Sequence, residues 1–247
     1  MYNQYLVLGN AHAGREQEHD DWYVWVHEWD VMGPREVAVA AQAFRRSEIE
    51  IPSAGPDTYS HGFLCAYENT DPEAMTGPGG GAIPEDMLIS SAANHAGGMG
   101  GGYFDTVAFR TRTPGRHPDA DLIAEWLWRP NVSDEDIAAY VDTRFTALMT
   151  NPDVVSGWVG KVSDHQPFDL PRPRYVAFYR TTRLEALAAC WTEGEVPFPL
   201  GWNSDDLSVS AFRQISKRTT RAEVLQPDPA SARKAEEVRK AAKPMVF

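Results

Sequence analysis

The residues able to do chemistry are concentrated in one stretch, Asp20-Asp21-Trp22-Tyr23-Val24-Trp25-Val26-His27-Glu28-Trp29-Asp30. It holds three tryptophans, one tyrosine, one histidine and four acidic residues. On an α-helix, residues three or four apart share a face. Tyr23, His27 and Asp30 then form one stripe, with Asp20 a turn earlier. An imidazole titrates near neutral pH and can pass a proton in either direction. Asp30 is placed to orient His27 and favour its charged form. Tyr23 is placed to donate to an oxyanion or enolate. Trp22 would supply an aromatic wall for substrate. The plainer alternative is a structural His27–Asp30 pair closing an aromatic-rich amphipathic helix.

Three further residues can converge on the same pocket. His12 lies in the loop after the first strand, and His95 lies in a glycine-rich segment. Arg45 ends the second strand, where it can pair with a substrate carboxylate. These histidines have no HxH or HExxH spacing, so no metal is expected. His19, His61, His117 and His165 read as surface or loop residues. There is no GxSxG elbow, and neither Cys65 nor Cys190 has an activating pattern around it. The two cysteines read as free thiols of a reducing cytoplasm. Dinucleotide and phosphate-loop fingerprints are absent, which removes nicotinamide, flavin and nucleotide chemistry of those types.

Composition narrows the partners. The net charge of −12 argues against nucleic acid and anionic membrane surfaces. No apolar run approaches the roughly 20 residues of a membrane span, and the N-terminus lacks the basic and apolar regions of a signal peptide. Cytoplasmic localisation follows as an expectation. A hydrophobic content of 43% and a charged content of 23% are ordinary for a folded domain.

The elements that must position the stretch follow in order. Tyr5–Leu8 reads as a strand, and a helix runs from near Arg15 to Met32, ended by Gly33-Pro34. Strands are expected at 37–44, 63–67 and 103–110, with a short helix from Asp71. Residues 77–102 are glycine-rich and read as an insertion, either a surface loop or a lid. The pattern then restarts. Strands are expected at 122–128, 154–162, 175–179 and 207–215, and helices at 133–149 and 184–191. Ser133 has an acidic residue, Asp136, three positions on, which marks a helix start. A charged helix at 230–243 follows, and residues 244–247 are apolar enough to dock on the body.

The order strand, helix, strand, strand, helix, strand therefore occurs twice. Residue matches support a duplication. Residues 63–75 parallel 175–187 at an offset of 112, Ala108-Phe109-Arg110 recurs as Ala211-Phe212-Arg213, and Tyr23-Val24 matches Tyr140-Val141 at an offset of 117. The expected fold class is α+β: two tandem ferredoxin-like (βαββαβ) repeats packing sheet-to-sheet as an α/β barrel. Residues 1–113 form the first repeat, 119–218 the second, and 219–247 a C-terminal tail. At the same offset, His27 falls opposite Arg144, Asp30 opposite Ala147 and Trp22 opposite Ala139. One working site, in the first half, is the consequence.

Tyr5-Leu6-Val7-Leu8, Gly14-Arg15-Glu16, Asp21-Trp22-Tyr23 with His27 and Asp30, and Ala41-Gln42-Ala43-Phe44-Arg45 together resemble the dimeric α/β-barrel superfamily, in its EthD-like branch. The resemblance covers residues 4–111 in sequence and 120–216 in topology only. It implies a barrel usually made by two chains and here by one, though a homodimer is also compatible. The superfamily includes isomerases, cofactor-independent monooxygenases, polyketide cyclases and haem proteins, so the fold does not choose the reaction. The expected function is metal-free, His27-based proton transfer on a small aromatic-derived, lactone or acid substrate, as an isomerase, decarboxylase or lyase. No cofactor is expected. The alternatives are a cofactor-free or haem-dependent monooxygenase, in which a histidine would be the axial haem ligand, and a non-enzymatic protein binding a hydrophobic small molecule.

Overall fold

Strand β1 (Asn3–Gly9) shows the rule on which the molecule is built. Side chains alternate across a strand. Leu6 and Leu8 point into a barrel interior, while Tyr5 and Val7 point outward to a helical layer. The computed structural model describes all residues except 1, 54, 56–60, 77–86, 95–99, 113–118, 129–132, 168, 193–203 and 245–247.

After β1 come α1 (Glu16–Trp22), a π-helical turn (Tyr23–His27) and α2 (Glu28–Met32), which run on as one helix. Strands β2 (Ala38–Arg46) and β3 (Phe63–Asn69) follow, then α3 (Pro72–Thr76), the short β4 (Leu88–Ile89) and β5 (Gly100–Thr111). The second half has β6 (Asp121–Leu127), α4 (Asp134–Leu148), β7 (Val154–Val162), β8 (Tyr175–Thr181), α5 (Leu184–Thr192) and β9 (Leu207–Gln214). The tail contributes β10 (Thr219–Thr220), α6 (Arg221–Leu225), α7 (Pro229–Ala241) and β11 (Lys243–Pro244). Ser133 caps α4 as its spacing predicts, its Oγ accepting from the Asp136 amide at 3.1 Å.

The strand order within each half is the same, β2-β3-β1-β5 and β7-β8-β6-β9. This is the ferredoxin-like arrangement twice over. The halves do not stack as two separate sheets. They join edge to edge, β5 with β7 and β2 with β9, all antiparallel, and so close an eight-stranded barrel; β10 adds to β2 outside it. Closure leaves no free edge in the ring.

Three apolar cores result. The barrel interior is filled by Leu6, Leu8, Phe44, Phe104, Trp126, Trp158, Phe178, Phe212 and their neighbours. Trp126 and Phe44 are fully buried. With each such side chain contributing roughly 1.5–3 kcal/mol by burial, the interior is a structural core, and ligand chemistry has to be sought elsewhere. The other two cores lie between each half-sheet and its own helices.

The end of the glycine-rich segment is strand, not loop. Gly100, Gly101 and Gly102 pair with Leu8, Val7 and Leu6. Gly101 has φ +105°, and a Cβ there would sit 2.0 Å from the Leu6 carbonyl oxygen. Only glycine lets β5 approach β1 at this point. The lid expectation for 77–102 otherwise falls largely outside the described residues. Both cysteines are free. Among the described residues no helix is long and apolar enough to cross a membrane.

Candidate active site beneath the π turn

The helix of the aromatic stretch changes register at its centre. Its inward face begins with His19, Trp22, Tyr23 and Val26, the spacing of an α-helix. An unbroken α-helix would next turn Asp30 inward. Instead the Glu28 amide donates to the Tyr23 carbonyl, five residues back. This single π turn advances the inward face by one position, so Glu28, Val31 and Met32 are buried. Such turns interrupt helices at functional sites more often than chance.

Glu28 is therefore carried into the layer above the sheet, with no exposed surface. Beneath it the sheet presents β3 residues Cys65 and Tyr67, β1 residue Tyr5 and β5 residue Tyr103. Cross-strand register places Tyr67, Tyr5 and Tyr103 in one row. The Tyr5 ring lies 6.0 Å from Tyr67 and 4.3 Å from Tyr103, stacked in both cases. The Cys65 thiol donates to Glu28 Oε1 at 3.5 Å, and Glu28 Oε2 makes no hydrogen bond among the described residues.

The electrostatics follow from burial. Burial pushes the Glu28 carboxyl up to about 8, against a smaller opposing effect of the Cys65 hydrogen bond. Burial, followed by mutual repulsion of the anionic forms, raises Cys65, Tyr23 and Tyr67 well above their ordinary values. Burial also raises Tyr5, to about 12, with Arg35 and Arg172 pulling it back. Near neutral pH the cluster is a set of uncharged acids in which the Glu28 proton is the most easily moved.

The expected site residues divide. Trp22, Tyr23 and His27 are brought together, with the His27 ring 5.0 Å from Trp22 and 4.6 Å from Tyr23. Trp22 Nε1 donates to the Leu88 carbonyl at 3.0 Å, which ties β4 to the helix. Asp30 is turned aside by the π turn and accepts from Arg239 of α7 at 2.6 Å, so it is tied to the C-terminal arm. Arg45 is committed to Asp20 in a close ion pair and also donates to the Gly62 carbonyl at 3.3 Å. His12 is exposed in its loop and contributes its amide to the Ala92 carbonyl. His95 lies outside the described residues. His19 and His61 are buried, at 3% and 7% exposure, rather than on the surface. His19 packs edge-on to Phe63 at 4.8 Å, a contact that helical spacing alone cannot reveal.

Glu28 and Cys65 carry no signal in the sequence reading. Glu28 lies off the Tyr23–His27 stripe in any uninterrupted α-helix. Only the π turn brings it round.

The second half has a buried carboxylate of a different kind. Glu125 of β6 accepts from Tyr140 at 2.7 Å and Tyr179 at 2.8 Å through one oxygen. Its other oxygen accepts from Trp191 at 2.8 Å and from Arg144 in a close ion pair. Burial opposes the Arg144 charge and Glu125 more than restores it, so its pKa is held above the ordinary value. Both oxygens of Glu125 are thus engaged, each by two donors.

Among the described residues, those beside Glu28 leave no open space for haem. The helix–sheet layer around Glu28 is filled by tyrosine rings, Met75 and Met87. The cleft of about 520 Å³ on the far side of the helix is lined by no histidine, cysteine or methionine. Among the described residues no group of three or more metal-ligating side chains is assembled.

No family model matches the chain, and no curated protein matches it by sequence. Solved structures match by shape. A candidate monooxygenase from Lactobacillus acidophilus NCFM matches with TM-score 0.52 and 10% identity, over 89% of this chain and 96% of its own. An anthrone oxidase-like protein matches with TM-score 0.55 and 10% identity, over 92% and 96%. These matches correct the expectation of isomerase, decarboxylase or lyase chemistry. Both of these proteins, matched across both halves, are named for oxidation. The His27–Asp30 pair behind that expectation is also replaced by Asp30–Arg239. The matches bear out the fold alone, a ferredoxin-like α/β barrel, here closed within one chain.

Proposed function

We propose that the protein is a monooxygenase-type enzyme acting on a small electron-rich aromatic molecule, with Glu28 as the proton-transferring group. The observation that carries this reading is the buried Glu28 carboxyl, which has one oxygen without a hydrogen bond and a pKa raised to about 8 by burial. A carboxyl of that kind exchanges protons near neutral pH. The names of the two structural neighbours support oxidation as the reaction class, at the level of fold. The EthD-like character of the aromatic helix belongs to the same proposal.

The chemistry balances without an external reductant when the substrate is a phenolic ring system bearing an acidic CH₂ group. Ionised Glu28 takes one proton from that carbon. The carbanion passes an electron to dioxygen, and the resulting radical pair joins as a peroxide whose outer oxygen takes back the proton held by Glu28, giving a C–O–O–H hydroperoxide. Loss of water breaks the O–O bond and the second C–H bond. The CH₂ group and O₂ become C=O and H₂O. Glu28, ionised again, takes the second C–H proton and passes it to the departing hydroxide to make the water, while Tyr23 and Tyr67 face the developing enolate as donors. Substrate access requires the turn over Glu28 to move, since the carboxyl is covered. The described residues fit the cofactor-free form of this chemistry better than the haem-dependent one.

Dioxygen uptake with a dihydroxyanthrone as substrate tests the reading. The expected result is one O₂ consumed per ketone formed, and a loss of about 100-fold or more in Glu28→Gln. Unchanged uptake in a folded Glu28→Gln variant overturns the assignment. A Soret band in the purified protein overturns the cofactor-free form.

A further inference from the structure

The helix has a second face that the proposed chemistry leaves unused. Trp25 and Trp29, one helical turn apart, are only half-buried and line the cleft of about 520 Å³ between this helix and the C-terminal arm. Their rings stand 6.2 Å apart at 54°, forming an open aromatic corner. The cleft falls within the size range of small-molecule sites, roughly 300–1,000 Å³.

The duplication shows that this face does not need tryptophan to fold. At the offset of 117, Trp25 falls opposite Asp142 and Trp29 opposite Thr146. In the second half those positions are a solvated surface, where Asp142 meets Arg110. Part of the difference is packing, since Trp25 also rests against the apolar layer that receives α7. Packing does not account for the charge around the corner. The lining carries the carboxylates of Asp20, Asp21, Glu223 and Asp228; Arg45, Lys234 and Lys217 pair the first three, and Asp228 has no ion pair among the described residues, which leaves the corner with a carboxylate in excess.

The walls are fixed before any ligand arrives. Lys234 of α7 holds Asp21 at 3.0 Å, and Arg239 holds Asp30 at 2.6 Å. Arg221 donates to the Met32 and Gly33 carbonyls, both at 3.1 Å. Asp228 caps α7, accepting from the Ala230 and Ser231 amides. A preformed cleft loses little ordering entropy on binding.

Indole faces attract cations, and a surplus of carboxylates excludes anions. We propose that this cleft is a binding site for an organic cation, an amine or quaternary ammonium carried on an apolar body about the size of one aromatic ring. The proposal is independent of the oxygenase reading, because it uses Trp25 and Trp29, which open toward the C-terminal arm, and not the carboxyl that Glu28 buries over the sheet.

Titration of the full chain with benzyltrimethylammonium, followed by calorimetry and tryptophan fluorescence, tests it. Benzyl alcohol and benzoate serve as the neutral and anionic probes. The expected result is saturable binding of the cation alone, weakening as salt is raised. Trp29→Leu is expected to weaken it at least about tenfold, while Glu28→Gln leaves it unchanged. Gln17→Lys, which puts an ammonium at the cleft from an exposed helix position, is expected to weaken it similarly without touching the core. The proposal is overturned if benzyltrimethylammonium does not bind, if either control probe binds as tightly, or if Gln17→Lys binds the cation as the native chain does.

Discussion

Each half of this barrel buries one carboxyl group between its sheet and its long helix, and the two are handled in opposite ways. In the second half, Glu125 rises from a strand and meets four donors, among them the guanidinium of Arg144. In the first, Glu28 descends from the helix and meets one thiol. The tyrosines are common to both, Tyr23 and Tyr67 matching Tyr140 and Tyr179. The same scaffold thus holds a finished ion pair on one side and an unfinished acid on the other. A fold can support a buried ionised group only by completing its hydrogen bonds. A carboxyl left incomplete keeps its proton, and that leaves it able to give or take one.

The comparison is broken most severely by removing one partner of the finished pair. Arg144→Met leaves Glu125 charged and buried, and is expected to cost roughly 3–5 kcal/mol in urea unfolding. A cost below about 1 kcal/mol would mean that Glu125 does not depend on Arg144.

Glu28 is expected to respond to pH with the opposite logic. Its folded pKa of about 8 lies above the ordinary 4.5. Below pH 4.5 both folded and unfolded chains are protonated there, and the group does not affect stability. As pH rises, the unfolded chain ionises first, so stability is lost at up to about 1.4 kcal/mol per pH unit until the folded group also ionises. Between pH 5 and 8, Glu28→Gln is expected to gain roughly 4 kcal/mol relative to the native chain, read as the difference between their thermal unfolding curves. Parallel curves across that range would remove the buried acid from the account. A gain in stability with a loss of oxygen uptake is the trade expected of a functional group held in a costly place.

Much of this was legible in the chain, and what was not has a physical reason. The strands carried alternation and turn signals, and the two halves shared residues at offsets of 112 and 117, so the doubled topology could be read directly. The aromatic stretch was correctly placed on a helix that packs Trp22, Tyr23 and His27 together. Asp30 shares the Tyr23–His27 stripe only while period 3.6 holds, and the π turn does not obey that period. Nothing in Tyr23–His27 announces a π turn. It arises because the helix must bury both Tyr23 and Met32 against one sheet, a requirement visible only in three dimensions. His19 and His61 were misplaced for a related reason, since a histidine buried against aromatic rings and one at the surface look alike in sequence.

A milder pair of substitutions sharpens the comparison at equivalent positions. Tyr179→Phe removes a donor from an ionised carboxylate and is expected to cost about 1.5–3 kcal/mol. Tyr67→Phe, at the matching place in the first half, removes a hydroxyl beside an uncharged acid and is expected to cost less than about 1 kcal/mol. Equal costs would show that Glu28 is as fully engaged as Glu125, and the contrast between the halves would collapse.

The smallest effect is expected at the ion pair that took Asp30 away from His27. Arg239 is 42% exposed and the Asp30 side chain 12%, so solvent screens the pair from one side only. Arg239→Ala is expected to cost about 0.5–1 kcal/mol, with faster hydrogen exchange along α7 and unchanged exchange in β1 and β3. That pattern follows if Asp30 serves to hold the arm against the helix. If Asp30 instead helped to position the residues under the π turn, removing Arg239 would disturb exchange in the sheet beneath Glu28 as well. The two outcomes separate an arm that closes the cleft of Trp25 and Trp29 from one that reaches through the helix to the buried acid.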